Sequence, residues 1–347
     1  MQPEHEAYWE ALRAADRPAA LAAVVAARER GAGPLEIIED LIVPAQVRIG
    51  ELWLDGEWSV EDEHAATAIN EGLVHWVCSF AAPPAPDAPL VLVSCVEHER
   101  HTLPALVVAE ELGLAGYRVH LMPEDQQPGD LLREVLVTKP RAVLFSASLT
   151  SSLATQKSLF GNLRSVGIPV IVGGQAFGND ERRALALGAT AYAATSADAL
   201  RLIEELPVRT PRHEPDPSTP ADAEAGWIHE FRSEITPYVI RAVARSHRAE
   251  GTPSWWLELE GHVDHLLGCV AASLVTGDET IVVEMRDWFE HLLQRRGAPQ
   301  SLVQEVWGLL ADALRGHPLA RLHLAGGAPV TATARGAAAQ GNEEAVA

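Results

Sequence analysis

Val91-Leu92-Val93-Ser94-Cys95-Val96-Glu97-His98-Glu99-Arg100-His101-Thr102-Leu103-Pro104 runs from a short apolar strand, through a polar loop, to the start of a helix. A strand, a loop and a helix in that order are half of a βαβ unit, the element from which parallel sheets are built. The pattern recurs downstream. Leu90–Ser94 is followed by helix to Leu114, Arg118–Met122 by helix from Asp130, and Ala142–Ser146 by helix from about Ser151. Pro169–Val172 is then followed by helix from about Asp180, and Thr190–Ala193 by helix to Leu206. Five such units predict an α/β domain over residues 89–206, a flavodoxin-like, doubly wound, parallel five-stranded sheet. Ligands of open sheets bind beyond the carboxyl ends of the strands, so the loop after Ser94 is the first place to look for chemistry.

Helical periodicity surrounds this block. Residues 1–80 read as a four-helix bundle. His5 to Glu29 is helical with a split at Pro18, and Leu35 to Trp53 is helical with a kink at Pro44. Ser59, with Asp62 three residues on, opens a helix from Val60 to Phe80. Ala81 to Pro89 is too proline-rich for regular structure and reads as a linker, as does the Pro-, Asp- and Glu-rich segment 207–225. Helices return at Trp227–Arg248, Ser254–Thr276, Thr280–Arg296 and Pro299–Arg315, predicting an all-α domain over residues 226–324. The Ala- and Gly-rich residues 325–347 read as a disordered tail.

With 47% hydrophobic residues the 347-residue chain can bury real cores. Its net charge of −21 argues against nucleic acid as a partner and against an anionic membrane surface. Cys78, Cys95 and Cys269 are scattered and imply no disulfide framework. No signal-peptide pattern and no membrane-spanning apolar run is visible, so the expectation is a soluble, cytoplasmic protein.

Three clusters fall on one edge of the expected sheet. His101 lies in the first loop, two residues after Glu99; Ser146 and Thr150 lie at or past the third strand; Gly173 and Gly174 follow the fourth. A neutral imidazole is a common metal ligand whose basicity is set by the hydrogen bond at its second nitrogen. Hydroxyls can donate to a ligand, and glycines let it approach the backbone. Taken singly, the glycine pair is a tight turn and His101 a surface residue; it is their coincidence on one edge that points to a site.

Glu99-Arg100-His101-Thr102-Leu103-Pro104, Ser146-Ala147-Ser148-Leu149 and Gly173-Gly174 together resemble the three signatures of cobalamin-binding domains. The resemblance spans roughly Leu90–Leu206. It implies that His101 replaces the dimethylbenzimidazole as lower axial ligand of cobalt, with the displaced base tail buried near the Ser and the paired Gly. The sequence departs from the pattern where Pro104 stands in place of the usual Gly, and where Leu149 is displaced by one position.

The bundle extends the likeness. Trp53, then nine residues, then Glu63-His64 resembles the adenosylcobalamin-dependent, light-responsive regulators of carotenoid synthesis. There the Trp covers the upper axial group, and the Glu and His line the adenosyl pocket. A plain reading leaves Trp53 and Trp58 as bundle core and Glu63-His64 as an exposed pair. No basic recognition helix precedes the bundle, and residue 54 is Leu where some of the family place a His that ligates cobalt after illumination. A bis-imidazole photoproduct through that position is thereby excluded.

In the C-terminal part, Trp255, Trp256, His262, Asp264, His265 and Cys269 crowd one helix, with Tyr238, Arg241, Arg286 and Trp288 on its neighbours. By themselves these residues fit a helical oligomerisation bundle. The domain order, however, resembles the photocobilins, in which a cobalamin domain is joined to a globin-like, biliverdin-binding domain. That resemblance, which rests on architecture, implies a bilin in this domain; the chemistry of the residues, cations and aromatics with His and Asp, offers Tyr238, Arg241, Trp255, His262, Asp264, His265, Cys269 and Trp288 as its contacts. The expectation is a light sensor rather than an enzyme, a homodimer carrying adenosylcobalamin and biliverdin and signalling to an unknown downstream protein. The alternative is a corrinoid carrier for methyl transfer with a C-terminal oligomerisation domain.

Overall fold

A computed structural model describes residues 3–123, 128–212, 217–247 and 253–326. The chain divides near Thr219 into two compact units.

The first unit contains the expected sheet. β1 (Leu90–Cys95), β2 (Arg118–Leu121), β3 (Ala142–Ser146), β4 (Val170–Gly173) and β5 (Ala191–Ala193) are parallel, in the order β2-β1-β3-β4-β5. Val91, Leu92, Val143 and Val170 are fully buried, as expected of a parallel sheet covered on both faces. The connecting helices are α6 (Leu103–Leu114), α7 (Pro128–Thr138), α8 (Gln156–Ser165), α9 (Arg182–Ala186) and α10 (Ser196–Glu205). With β2 on one side of β1 and β3 on the other, the strand order reverses between β1 and β3. Register pairs Cys95 with Ser146, so the two strands end level.

The helical cap comprises α1 (Pro3–Arg13), α2 (Arg17–Glu29), α3 (Pro34–Ile37), α4 (Val43–Leu54) and α5 (Val60–Cys78), labelled here, like the helices above, in chain order. The break after α1 is made by Asp16, whose carboxylate accepts the Ala19 N–H at 3.0 Å; Pro18 sits in the first turn of α2, where its missing N–H costs nothing. Between α3 and α4 the chain makes a π turn, Ile38–Ile42, in which Val43 N–H donates to Ile38 O. Widening the helix there relieves the clash that Pro44 would make with the preceding turn. Ser59 and Asp62 form the expected capping box, each bonding the other's backbone N–H at 3.0 and 3.1 Å.

Tyr8, Leu12, Ile38, Ile42, Ile49, Ala66 and Leu73 form the cap's core, and Leu103 and Leu106 of α6 belong to the same cluster. Polar ties reinforce this: Thr102 donates to Glu71 at 2.7 Å, and His75 Nδ1 meets Glu110 at 2.9 Å.

The segment read as a second linker is anchored at its start. Arg209 donates to the carbonyls of Lys139 and Pro140, Thr210 N–H donates to Gly167 O at 3.0 Å, and Thr210 is buried. Helix α11 then begins at Pro220, ahead of the expected boundary.

The second unit is all helical: α11 (Pro220–Ser246), α12 (Ser254–Thr276), α13 (Thr280–Arg295), α14 (Leu302–Ala313) and α15 (Pro318–Gly326). The last of these was not expected. Ala320 and Leu324 are buried, and the Glu224 carboxylate accepts the N–H groups of Leu319 and Ala320 at 3.3 and 2.8 Å, closing the N-terminus of α15. Ala325 and Gly326 belong to this helix, and the rest of the expected tail lies outside the described residues. Among the described residues no helix is long and apolar enough to cross a membrane.

Candidate functional site

At the point where strand order reverses, the loops after β1 and β3 are held together by one side chain. Glu99 has a fully buried carboxylate. Its Oε1 accepts the His101 backbone N–H at 2.8 Å and lies 2.6 Å from His101 Nδ1. Its Oε2 accepts the N–H groups of Ser148 and Leu149 at 2.6 and 2.7 Å. Every group facing this carboxylate is a donor. Burial by itself would raise the Glu99 pKa. The hydrogen bonds from His101 and from the Leu149 and His101 backbone outweigh burial and hold it below the ordinary carboxylate value. The Glu99 hydrogen bond in turn raises His101 against the opposing effect of burial, with the charges of Glu99 and Glu63 adding to the rise.

This geometry fixes the tautomer. With Nδ1 carrying its proton toward Glu99, the lone pair of His101 is on Nε2, and the side chain is 51% exposed. An imidazole presented in this way, with its second nitrogen on a carboxylate, is prepared as a metal ligand. Among the described residues no cluster of His, Cys, Asp and Glu gathers to hold a bare ion. A single oriented imidazole suits a metal that arrives with a macrocycle of its own.

The sequence departures are absorbed locally. Pro104 sits in the first turn of α6, where the next available donor, Leu106 N–H, bonds Thr102 O at 2.9 Å. Leu149 matters through its backbone N–H, not its side chain, so its displacement is harmless. The pairing of Glu99 with residues 148 and 149 was not visible in the sequence.

Gly173 and Gly174 are required by the protein's own backbone, whatever a ligand adds to that requirement. A Cβ on Gly173 would stand 2.6 Å from Ala193 O; one on Gly174, at φ +104°, would stand 2.3 Å from Ala147 O. Both positions demand glycine on steric grounds, and the result is a smooth floor beside the ends of β3 and β4. Ser146 is buried at that floor and Thr150 opens a 3₁₀ turn, Thr150–Thr155, beside it.

On the cap, Trp53 is half-buried near the end of α4. Trp58 is the bundle tryptophan: it stacks on Trp9 with ring centroids 5.6 Å apart. Glu63 lies on the side of α5 from which its charge reaches His101. Its Oε1 accepts the Thr67 hydroxyl at 2.8 Å, and its Oε2 lies 3.4 Å from Nε2 of the exposed His64.

The residues assigned to a bilin do not converge. Tyr238 and Arg241 are exposed on α11, and Asp264 pairs with Arg232 at 2.9 Å. Trp255 is buried against His247 and Trp256. His262, His265, Cys269 and Trp288 are neighbours, but as packed core: both imidazoles meet Trp288 edge-on, at 5.4 and 5.7 Å, and Cys269 Sγ is 3.6 Å from His265 Nε2. The apolar gap beside them, lined by Leu266, Cys269, Met285 and Trp307, is too narrow for a water molecule.

His262 has a consequence of its own. Burial, with Arg296 and His265 adding to it, pushes its pKa down to about 4; its Nε2 lies 3.4 Å from Glu258 Oε2 without hydrogen-bond geometry, and that carboxylate is engaged by Arg296 at 3.2 Å. The folded state therefore keeps His262 neutral while the unfolded chain protonates it near the ordinary imidazole value of 6.5. The second unit should be at full stability above about pH 6.5 and lose on the order of 3 kcal/mol as pH falls toward 4. Unfolding of wild type and His262→Leu across that range checks this; the variant should lose most of the slope.

Comparison with known proteins agrees with the geometry. Residues 4–76 and 89–204 each match a family described as a B12 binding domain. The chain is 28% identical over 146 residues to the HTH-type transcriptional repressor CarH of Myxococcus xanthus, covering 41% of this chain and 48% of that protein. It therefore spans only about half the length of that curated relative. It is 25% identical over 181 residues to the trimethylamine corrinoid protein of Methanosarcina barkeri, covering 50% of this chain and 82% of that one. Among solved structures, the Methanosarcina barkeri monomethylamine corrinoid protein superposes with a TM-score of 0.50 at 19% identity, over 57% of this chain and 96% of that chain. That last likeness speaks for the fold.

Proposed function

We propose that this chain, which carries two B12-binding domains within its first 204 residues, is a light sensor that holds adenosylcobalamin between its sheet and its helical cap. Bound adenosylcobalamin supplies the visible absorption and a light-labile cobalt–carbon bond. The remaining work belongs to the protein. His101 would ligate the cobalt through Nε2, with Glu99 holding its Nδ1 proton and fixing the ring. The glycine-floored edge near Ser146 and Thr150 takes the displaced nucleotide tail. Trp53 covers the upper group, and Glu63 with His64 offers acceptors to hydroxyls.

The observation that carries the adenosyl reading is Glu63. It is a carboxylate on the cap, near enough to His101 to act on its protonation, with Oε1 held by Thr67. A methyl group offers such a carboxylate nothing, whereas a ribose offers hydroxyl donors. Trp53 and Glu63 would hold one arrangement of the cap through their contacts to the upper group, and contacts made in only one state are what bias such an element. The second unit is the output module in this reading.

Protein reconstituted in the dark with adenosylcobalamin should change its absorption spectrum irreversibly under green light, together with the protease sensitivity of the cap. An unchanged spectrum overturns the sensor. A second reading, a methyl-carrying corrinoid protein, is favoured by the likeness to the trimethylamine corrinoid protein. It requires that methylcobalamin bind at least as tightly as adenosylcobalamin.

A further inference from the structure

The cap's apolar core is interrupted by one line of polar side chains. Tyr8 of α1 is fully buried, and its hydroxyl donates to Asn70 Oδ1 at 2.6 Å. Asn70 of α5, also fully buried, donates through Nδ2 to Gln46 Oε1 at 2.7 Å. Gln46 of α4 donates through Nε2 to Thr67 Oγ1 at 2.8 Å, and Thr67 donates to Glu63 Oε1 at 2.8 Å. Each member gives its proton to the next, and the line ends on a carboxylate, which can only accept.

Burying an amide and a phenol among Ile42, Ile69, Leu73 and Val74 is costlier than burying leucines, unless each polar atom is paired. Here they are paired, and in one direction. An amide has its donor and acceptor on different atoms. Asn70 must turn its oxygen to Tyr8 in order to turn its nitrogen to Gln46, and Gln46 follows in the same sense. The Thr67 hydroxyl, receiving from Gln46, has its single proton left for Glu63. The Glu63 carboxylate is thus oriented from within the core, with Oε1 engaged and Oε2 left toward His64.

We propose that Tyr8, Asn70, Gln46 and Thr67 are positioning residues that set Glu63 for the upper-face ligand, and so determine specificity for a cobalamin bearing a hydroxylated upper group. The inference rests on the adenosyl reading above and adds to it. It ties α1, α4 and α5 to that ligand through one set of hydrogen bonds.

The test is the ratio of dark dissociation constants for adenosylcobalamin and methylcobalamin, measured by absorption titration on the full chain. Thermal unfolding of the cobalamin-free protein is followed in parallel. Thr67→Val keeps the side-chain shape and removes the hydroxyl; adenosylcobalamin should bind roughly tenfold more weakly, the value of one hydrogen bond to a charged group. Methylcobalamin should be unaffected, and Thr67→Ser should restore the ratio. Tyr8→Phe, at the far end, should shift the ratio in the same direction by a smaller factor. A purely structural role would lower the unfolding temperature or weaken both cobalamins alike, and either pattern with an unchanged ratio overturns the inference. Wild-type discrimination that survives Thr67→Val removes the inference and leaves the adenosyl reading standing. A wild type that binds both cobalamins equally removes the adenosyl reading, and this inference with it.

Discussion

His101→Ala should abolish protein coordination of the cobalt while leaving the fold intact. The side chain is 51% exposed, so the loss is mainly that of its hydrogen bond to the buried Glu99 carboxylate, and unfolding should change by about 1–2 kcal/mol. Cobalamin binding is another matter. Removing a partner in the outer shell of a metal site already costs tenfold to a hundredfold in affinity, and here the ligand itself is lost. Corrinoid that still associates with the variant should lack the absorption of an imidazole-ligated form. Adding free imidazole should restore that spectrum, because the space vacated at residue 101 opens to solvent. An unchanged affinity and spectrum would show that the loop does not bind cobalt.

Glu99→Ala should have the larger effect on the protein and Glu99→Gln should fail to rescue it. Alanine leaves the N–H groups of His101, Ser148 and Leu149 without their acceptor, and the loops after β1 and β3 without their tie. The cost is on the order of 3 kcal/mol. Glutamine is the usual isostere, but its NH₂ would face donors only, so one loop or the other must let go. Both variants should also free the His101 ring to rotate, weakening cobalamin binding beyond the stability loss. The pH dependence has a definite sign. Since the Glu99 pKa is lowered from 4.5 in the folded state, its contribution is present above about pH 4.5 and is lost as pH falls through the folded value. Denaturant unfolding of wild type and both variants at neutral pH, repeated for wild type down to pH 3, measures each part; a fully rescuing glutamine would refute the donor-only environment.

The sheet was legible because a parallel strand buried on both faces shows as an unbroken apolar run, as in Val91-Leu92-Val93 and Ala142-Val143-Leu144. Its topology followed from the alternation with helices. Glu99-x-His101 was legible as spacing. What held it was not, because backbone N–H groups at residues 148 and 149 carry no signature in side-chain identity. The glycine pair was legible as a feature of that edge; that a Cβ at either position would collide with a carbonyl of the same chain, Ala193 O or Ala147 O, was not. The anchoring of the second linker was not legible: Thr210 and Arg209 are held onto the sheet domain by backbone and carbonyl partners that composition does not show. Nor was α15, whose start is closed by Glu224, 95 residues before Leu319. The bilin expectation rests on residue types, and residue types suited to a chromophore pocket are also those that make an aromatic core; His262 and His265 both meet Trp288 edge-on.

The cap and the sheet domain are joined in sequence by the proline-rich stretch 81–89, yet their closest bond is elsewhere. Leu103 and Leu106, which open the first helix of the sheet domain, are packed inside the cap's own core, and Thr102 is tied to Glu71. Residues 81–89 are therefore a tether and not a hinge. Were the chain cut there, the two fragments would remain one body. Leu103 and Leu106 stand two and five residues after His101, so any load on the cap's core reaches the histidine loop along the same short stretch of chain.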